Sequence, residues 1–399
     1  MKRARILTVI VALICCLTVC NANPKKNHSE EPAKYVFLFI GDGMGFSQVA
    51  AAESYLSYKT GKLGGEQVRF TTFPVHGSAT SHSANKRVTD SSAAGTAIAT
   101  GVKTNNSMLG VDPEGNRLKS MSYDFQEMGY NVGILSSVPV NHATPASFYA
   151  RNASRYTYYD IATELPASGF QFFAGSGIIE YFGKENDKEN IVSALERGGV
   201  NVCFSKSEIE DALKNKDRML VCQPYNKEKE PSNYEAGGMM PEDHILLSEM
   251  LEIGMKRIGS KKPFFIMCEG GEIDWAAHAN KTMPMVNAVI EFDKAIELAY
   301  QFYLEHPDET LIVVTADHAT GGIAMNSEPN WKILEELWAE AGFNLEIPQN
   351  REANKKARIA WTTTGHTGEP VPVYAIGKGA EKFSGRMDNT DFKAKILGK

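Results

Sequence analysis

The feature that most constrains the fold of this chain is an alternation between short apolar runs and amphipathic stretches. The apolar runs are rich in β-branched and aromatic residues and end abruptly at small or acidic residues; they span residues 35–40, 132–135, 264–268, 311–315 and 371–376. Between them, residues 285–302 repeat apolar side chains at three- and four-residue spacing, as a helix does. The alternation predicts an α/β fold with a central, mostly parallel β-sheet and helices on both faces.

The domain organisation follows from length and composition. A chain of 399 residues with 43% hydrophobic content can bury a large core. We predict one large domain over residues 33–399, with an insertion at about residues 165–262 that includes a Lys/Glu-rich, solvated stretch.

The N-terminus has the three parts of an export signal. Lys2, Arg3 and Arg5 precede an apolar run over residues 6–19, and small and polar residues follow it. The run is shorter than the roughly 20 apolar residues of a membrane anchor. We predict a signal peptide over residues 1–22, cleaved after Ala22, and a periplasmic or extracellular protein. Residues 17–20 also resemble a lipoprotein cleavage box, so lipid attachment through Cys20 is the alternative, although position 19 is bulkier than that box prefers.

The net charge restricts which partners the protein can bind, and the cysteine content restricts its fold class. The formal net charge is −6 and is more negative without the basic leader, which argues against nucleic acid as a partner. Three cysteines remain beyond the leader, too few for a fold built on disulfides. In an oxidising compartment Cys203 and Cys222 can pair, whereas Cys268 lies in an apolar run and is predicted to be a buried thiol.

Acidic residues and histidines cluster around the ends of the apolar runs. Asp42 follows the first run in a Gly-Asp-Gly-Met-Gly string, Glu269 directly follows the run at 264–268, and Asp317 and His318 follow the run at 311–315. Each has an ordinary interpretation on its own: an Asp in a glycine turn is usually a turn residue. The pair at 317 and 318 can bind one ion or face opposite sides.

Two further segments supply metal-binding side chains. Asp274 and His278 stand four residues apart and share one face if the segment is helical, as donors suited to zinc, although such a pair is more often a surface contact. His366 precedes the run at 371–376. Ligands gather beyond the carboxyl ends of strands in α/β sheets, and carboxylates brought together there repel unless cations neutralise them. The pattern therefore predicts a site for several metal ions.

A nucleophile candidate stands at the start of a small-residue helix. Ser91 lies in Asp90-Ser91-Ser92, followed by Ala, Gly and Thr residues that allow close packing. The N-terminus of such a helix offers backbone donors and a positive dipole end to a phosphate. Ordinary N-capping by one of these three residues is the structural alternative.

In their order along the chain, these strings resemble the alkaline phosphatase family. The resemblance runs from about residue 35 to 392 and is densest at residues 36–45, 88–112, 141–155, 265–278, 313–322 and 365–380. It is weak over the predicted insertion. It implies a hydrolase that releases phosphate from small-molecule phosphate monoesters through a phosphoserine at Ser91, and it implies a homodimer.

The resemblance also implies a ligand set for two zinc ions and one magnesium ion. The implied ligands are Asp274, His278 and His366 for one zinc; Asp42, Asp317, His318 and the Ser91 oxygen for the second; and Asp42, Thr144 and Glu269 for magnesium. The oxygen-only set suits magnesium. Arg155, steadied by Asp90, falls at the family's phosphate-binding arginine, with Arg151 as its rival by position.

Two positions depart from the pattern of the best-known bacterial type. His142 and Trp275 stand where that type has Asp and Lys. The resemblance places His142 near the magnesium, bonding to a metal-bound water or to phosphate, which puts the cation preference of that site in question. Trp275 lacks the charge of a lysine.

Other functions fit parts of the same pattern. A phosphodiesterase of related fold is the enzymatic alternative, and a non-catalytic exported protein that binds phosphate or metal is the alternative of a different class. An arylsulfatase is excluded because Cys222-Gln223-Pro224 lacks the Arg that its nucleophile-forming string needs.

Overall fold

The computed structural model describes residues 31–223, 244–326, 328–341 and 347–399. The predicted signal peptide, with Ala22 and Cys20, lies outside these residues. The strands are β1 (Tyr35–Gly41), β2 (Val75–Thr80), β3 (Asn131–Ser136), β4 (Phe172–Gly175), β5 (Asn201–Cys203), β6 (Met219–Cys222), β7 (Phe264–Gly270), β8 (Thr310–Ala316), β9 (Ala319–Thr320), β10 (Ile323–Met325), β11 (Ile359–Trp361), β12 (His366–Thr367), β13 (Val371–Gly377) and β14 (Gly385–Asp388).

Helices connect and cover these strands. They are α1 (Phe46–Lys59), α2 (Ser91–Thr100), α3 (Met121–Glu127), α4 (Ala143–Ala146), α5 (Tyr158–Ala167), α6 (Ile191–Arg197), α7 (Lys206–Asn215), α8 (Leu247–Ile258), α9 (Glu272–His278), α10 (Thr282–Glu305), α11 (Trp331–Ala341), α12 (Ile347–Lys356) and α13 (Asp391–Ile396), with 3₁₀ turns at Arg69–Thr72 and Ala380–Phe383. Within the described residues, no helix is both long enough and apolar enough to cross a membrane.

Ten strands form one central sheet in the order β14-β2-β13-β8-β1-β7-β3-β4-β6-β5. From β8 to β5 every neighbouring pair is parallel, whereas β13 runs antiparallel to both β8 and β2. The predicted α/β class with a mostly parallel central sheet is confirmed. The five apolar runs of the sequence are β1, β3, β7, β8 and β13, and the predicted helix is α10.

Burial explains why the middle strands read as continuous apolar runs. Every residue of β1, β7 and β8 is buried, because parallel strands at the centre of a sheet are covered on both faces. Aromatic side chains fill the space between β1 and α10: the rings of Phe37 and Phe39 pack edge-on against Phe302 and Phe292. The polar residues that follow these strands are therefore held by a rigid core.

The segment predicted as an insertion belongs to the same sheet where it is described. It contributes β4, β5 and β6 at one end of the sheet. Among the described residues the cysteines are free thiols, all three of them buried. Cys203 and Cys222 lie on the neighbouring strands β5 and β6, where Cys203 is in register with Val221, and no disulfide joins them.

Candidate metal centre

The centre lies at the edge of the sheet where the neighbouring strands β8, β1 and β7 end. Asp42 directly follows β1, Asp317 and His318 directly follow β8, and Glu269 is the next-to-last residue of β7. The parallel register sets the last residues of the three strands side by side. The sheet itself thus brings together polar side chains that are more than 200 positions apart in the chain.

Two other segments reach the same edge. Because β13 is antiparallel to β8, the chain enters β13 where β8 ends, and His366 lies just ahead of it on β12, in register with Thr320 of β9. Asp274 and His278 lie on α9, which begins two residues after β7. Their predicted four-residue helical spacing is observed, with His278 Nε2 3.2 Å from Asp274 Oδ2.

Three histidines turn the same ring nitrogen toward the carboxylates. The other nitrogen, Nδ1, lies 2.5 Å from the Thr364 carbonyl oxygen in His278, 2.8 Å from the Thr89 carbonyl oxygen in His366 and 3.2 Å from Thr320 Oγ1 in His318. A carbonyl oxygen only accepts, so Nδ1 of His278 and of His366 carries a proton. Nε2 is left to face the carboxylates, in the orientation that metal-binding imidazoles adopt.

The carboxylates at the strand ends are buried, and several of their oxygens lack a hydrogen-bond partner among the described residues. Asp42, Glu269 and Asp317 are each 0% exposed, and both oxygens of Asp42, Oε1 of Glu269 and Oδ2 of Asp317 have no hydrogen-bond partner among the described residues. Burial raises the pKa of Glu269 to about 8 and that of Asp317 to about 7, and it raises the pKa of Asp42 well above its usual value. Such a cluster fits divalent cations, which supply the missing positive charge.

The side chains form three groups whose candidate ligand atoms lie within 4.8 Å of one another: Asp274, His278 and His366; Asp42, Asp317 and His318; and Asp42, His142 and Glu269. Asp42 belongs to two of them. The first two groups contain the carboxylates and imidazoles that the family resemblance implies for the two zinc ions. Asp317 and His318 face one group rather than opposite sides.

The third group contains an imidazole where the resemblance implies oxygen donors alone. Thr144, on α4, has a buried hydroxyl without a hydrogen-bond partner among the described residues, and Glu269 Oε2 accepts a hydrogen bond from Ser136. His142 immediately precedes α4 and is 8% exposed, with its Nδ1 unpartnered within the described chain. Burial and the nearby Arg155 lower the pKa of His142 to about 3, so its ring is neutral.

Thr320 links two of the groups, and sequence reasoning missed it. Its hydroxyl accepts from His318 Nδ1 and donates to Asp274 Oδ1 over 2.5 Å. Gly43 makes room for this contact: at a φ of +69°, a Cβ there would lie 2.8 Å from Asp274 Oδ1 and 2.9 Å from Thr320 Oγ1. Thr320 stands in the Asp-His-Ala-Thr-Gly-Gly string, but its role depends on partners that the string does not contain.

Ser91 lies next to the group of Asp42, Asp317 and His318. It is the first residue of α2 and is 2% exposed. Its hydroxyl lies 3.2 Å from His318 Nε2, the nitrogen that is also 3.4 Å from Asp42 Oδ1 and 3.3 Å from Asp317 Oδ2. The N-cap of the helix is Asp90 rather than Ser91, which leaves the Ser91 hydroxyl free of a capping role.

Asp90 connects the start of α2 to Arg155. The Asp90 carboxylate accepts hydrogen bonds from the Ala93 amide (3.0 Å), the Ser92 hydroxyl (2.9 Å), the Ser107 amide (2.9 Å) and Arg155 Nη1 (3.2 Å). Ser107 adopts a left-handed backbone conformation with a φ of 73°, and its carbonyl accepts from the Arg155 amide over 2.8 Å. No sequence signal singled out Ser107.

Arg155, and not Arg151, faces the centre. Arg155 Nη2 donates to His142 Nε2 over 3.1 Å, and its Nε is buried without a partner among the described residues. The guanidinium of Arg151 instead packs over the Tyr123 ring at 4.0 Å. The structure thus separates two arginines that position in the sequence left as rivals.

A cavity of about 420 Å³ opens in front of Ser91. It is lined by Asp90, Ser91, Asn106, Ser107, His142, Arg155, Tyr156, Asp274, Trp275, His278 and His366. Fold and centre together define an α/β protein whose carboxylates and imidazoles are arranged to hold several metal ions, with a serine hydroxyl and an arginine beside them.

Comparison with known proteins assigns the family. The family model described as alkaline phosphatase matches residues 33–223, 241–342 and 339–398, and the chain belongs to the alkaline phosphatase family. It is 31% identical to alkaline phosphatase 4 of Bacillus subtilis, over 95% of this chain and 90% of the relative.

Solved structures agree with this assignment. A cold-active alkaline phosphatase from Shewanella sp. is 27% identical and superimposes with a TM-score of 0.76 over 91% of this chain and 98% of that one. A mutant of the alkaline phosphatase from the Antarctic bacterium TAB5, solved with Mg bound in the M3 site, is 28% identical with a TM-score of 0.72 over 92% of this chain and 97% of that one.

Proposed function

We propose that this enzyme hydrolyses phosphate monoesters to an alcohol and inorganic phosphate through a covalent phosphoserine at Ser91. Membership of the alkaline phosphatase family supports monoester hydrolysis. One observation carries the assignment of the nucleophile: the Ser91 hydroxyl lies 3.2 Å from His318 Nε2, inside the group that includes Asp42 and Asp317. The serine also starts a helix whose positive end faces the cavity.

The reaction proceeds in two displacements at phosphorus. The Ser91 oxygen forms a bond to phosphorus while the bond to the ester oxygen breaks, and the alcohol leaves with a proton. Water then forms a bond to phosphorus while the Ser91 oxygen departs and regains its proton, which releases inorganic phosphate. When bound, the divalent cations supply positive charge for the phosphate oxygens and lower the pKa of the attacking hydroxyl and water.

Arg155 orients the phosphate beside Ser91. Asp90 holds one guanidinium nitrogen, and the buried, unpartnered Nε remains to donate to a phosphate oxygen. The Nη2 donor that bonds to His142 in this structure can move to a second phosphate oxygen, which would give the bidentate geometry that arginine favours.

The donor sets support two zinc ions and one magnesium ion. A carboxylate with two imidazoles, and two carboxylates with one imidazole, are donor sets typical of zinc. The oxygens of Asp42, Thr144 and Glu269 suit magnesium, and the TAB5 mutant with Mg in its M3 site supports a magnesium-capable position in this family. His142, within the third group, would bond to a ligand of that ion or compete for it.

Export and assembly complete the proposal. We propose that residues 1–22 direct the chain to the periplasm or the cell exterior, with a lipid anchor at Cys20 as the alternative to cleavage. N-terminal sequencing and mass measurement of the mature protein distinguish a chain that starts after Ala22 from one that starts at a lipidated Cys20. A homodimer stays a prediction, and light scattering of the purified protein tests it.

Substitution of Ser91 by alanine tests the mechanism. We expect turnover of p-nitrophenyl phosphate to fall by about a thousandfold or more, with zinc and magnesium content retained, because the variant loses the nucleophile but keeps the imidazoles and carboxylates. Ser92→Ala is the matched control, since its hydroxyl bonds to Asp90 and not to His318, and its activity should stay within about tenfold. Full turnover by Ser91→Ala would remove this serine from the reaction.

A substrate pair distinguishes the proposal from its alternatives. We expect p-nitrophenyl phosphate to be hydrolysed faster than bis(p-nitrophenyl) phosphate. The monoester is a dianion with three free oxygens for Arg155 and the bound cations, whereas the diester has two free oxygens, one negative charge and a second organic group to accommodate. Faster diester turnover would favour the phosphodiesterase, and zinc-loaded protein without turnover would favour a binding protein.

A further inference from the structure

The cavity extends beyond the groups that would hold a phosphate. Ser91, Arg155 and the metal-ligand groups occupy its inner end, yet its volume of about 420 Å³ also reaches Tyr156 and Trp275. In a phosphate monoester the phosphate carries a single organic group. That group must therefore lie in the outer part of the cavity, which Tyr156 and Trp275 help to line.

Tyr156 presents an anchored ring at this outer part. It is 58% exposed, among the more exposed large aromatic side chains of the described residues. Two neighbours restrain the ring: Tyr158 packs edge-on against it with 6.5 Å between the ring centroids, and the Arg155 guanidinium lies 5.9 Å from its centroid. An aromatic surface that is exposed and held in place gives a flat partner contact area at small entropic cost.

Trp275 is a second aromatic wall, fixed from the other side. It lies on α9 between the metal-ligand candidates Asp274 and His278 and is half-buried. Its ring meets that of His142 edge-on at 5.7 Å and an interplanar angle of 89°. The helix and the histidine together set the position of this ring.

The charges around the cavity select against a second anionic group on the ester. Among the lining residues Arg155 is the cationic side chain other than the metal-facing histidines, and it already pairs with Asp90 at 3.2 Å. The outer lining also includes Asn106 and Ser107, which are neutral. A second phosphate or carboxylate on the organic group would meet no unpaired cation of the described lining.

We infer that Tyr156 and Trp275 form a subsite for a planar, uncharged aromatic group of the ester, with Tyr156 as the residue that sets this preference. The inference rests on the proposed function. It predicts that aryl phosphates are bound better than alkyl phosphates or sugar bisphosphates, through contacts that the phosphate itself does not make.

Competitive inhibition by phosphonates isolates this binding from the chemistry. Phenylphosphonate and methylphosphonate share a phosphate-like head group, are not hydrolysed and differ in the group that enters the outer cavity. In the metal-loaded enzyme we expect Tyr156→Ala to raise the inhibition constant of phenylphosphonate about threefold to tenfold and that of methylphosphonate less than about twofold. Tyr156→Phe keeps the ring and should match the unmodified enzyme.

Controls separate the outcomes. Phe182→Ala removes another exposed ring, 39% exposed, that does not line the cavity, and it should change neither constant. An equal rise in both constants for Tyr156→Ala, or no rise in either, would overturn the subsite. Failure of the proposed function is a different result, since the unmodified enzyme would then not hydrolyse p-nitrophenyl phosphate at all.

Discussion

Two parts of the metal centre differ in how their charges are balanced. In the group of Asp274, His278 and His366, the Asp274 carboxylate accepts from Thr320 and pairs with His278. Burial opposes ionisation of Asp274, yet the hydrogen bond from His278 holds its pKa below the usual value. The His278 pKa is raised to about 8 because its bonds to Asp274 outweigh burial. This group balances its own charge.

The carboxylates at the strand ends, in contrast, do not have their charge balanced by protein contacts. Asp42, Asp317 and Glu269 are fully buried, their pKa values are all raised, and four of their oxygens have no hydrogen-bond partner in the described chain. Burial also lowers the pKa of His318 well below its usual value, so that ring is neutral. One half of the centre is therefore preorganised by protein contacts, whereas the other half depends on cations to keep its carboxylates ionised.

The largest loss of activity is expected on substitution of Asp42. Asp42→Asn removes a ligand charge from two groups at once, so kcat/KM for p-nitrophenyl phosphate should fall about a thousandfold or more, with loss of bound metal. His278→Ala touches only the balanced group and should cost less. Kinetics with metal analysis checks both, and a larger loss for His278→Ala would contradict the contrast.

A smaller effect, on metal affinity, is expected on substitution of Thr320, whose hydroxyl joins the two halves of the centre. Thr320→Val keeps the shape but loses the hydrogen bonds to His318 and Asp274, which orient metal ligands in both. Outer-sphere changes of this kind typically cost about 10- to 100-fold in metal affinity. Zinc competition titrations measure this affinity. Thr320→Ser keeps the hydroxyl, so its zinc affinity should be close to that of the unmodified enzyme. Equal affinities for all three proteins would exclude the link.

Substitution of His142 is expected to change the selectivity between magnesium and zinc rather than to abolish metal binding. His142→Asp converts the third group to oxygen donors, which magnesium prefers. We expect magnesium affinity to rise about tenfold relative to zinc at that position. Elemental analysis after dialysis against both ions checks this, with His82→Asp as a control for an imidazole outside the metal groups. Unchanged magnesium content would show that His142 does not set the preference.

The smallest expected effect is on the stability of the chelated protein. An unfolded Asp or Glu ionises near pH 4, whereas burial keeps the pKa of Asp317 at about 7 and that of Glu269 at about 8 in the folded chain. The folded chain keeps protons that the unfolded chain has released, so the free energy of unfolding falls as pH rises from about 4 to about 8.

The melting temperature of the metal-free protein should therefore be lower at pH 8.5 than at pH 5.5, by roughly 2–5 °C. Asp317→Asn should reduce this slope because it removes one of the titrating groups. Asp388→Asn, on β14, should not, since burial is outweighed by hydrogen bonds from Thr80 and Lys103, which lower the pKa of Asp388 to about 2, and its carboxylate stays ionised from pH 5.5 to 8.5. Thermal scans in chelator test the pair, and a slope of opposite sign would contradict the assignment of buried, unbalanced carboxylates.

Much of the fold and of the ligand set could be predicted from local pattern. The runs that form β1, β7 and β8 are continuous and apolar because these strands are covered on both faces. An uninterrupted apolar run of this length can be recognised in the sequence alone. The acidic residues and histidines stand out because they follow such runs. The family resemblance added Thr144 and Arg155, whose own surroundings in the sequence say little.

Contacts between distant segments were beyond such patterns. Arg155 and Arg151 have similar neighbours in the chain, and only packing separates the one that bonds to Asp90 from the one that stacks on Tyr123. The His142 ring next to Asp42 and Glu269, and the Ser107 amide on Asp90, depend on loops meeting across the sheet edge.

The amino-acid sequence thus establishes which strands are buried and which polar residues follow them, because periodicity and burial are local properties of a chain. The tertiary structure sets the charge balance of the centre. Whether a carboxylate such as Asp274 is ionised or one such as Glu269 holds its proton depends on partners brought within a few ångströms from other segments, and electrostatic energy in a buried site varies steeply over such distances.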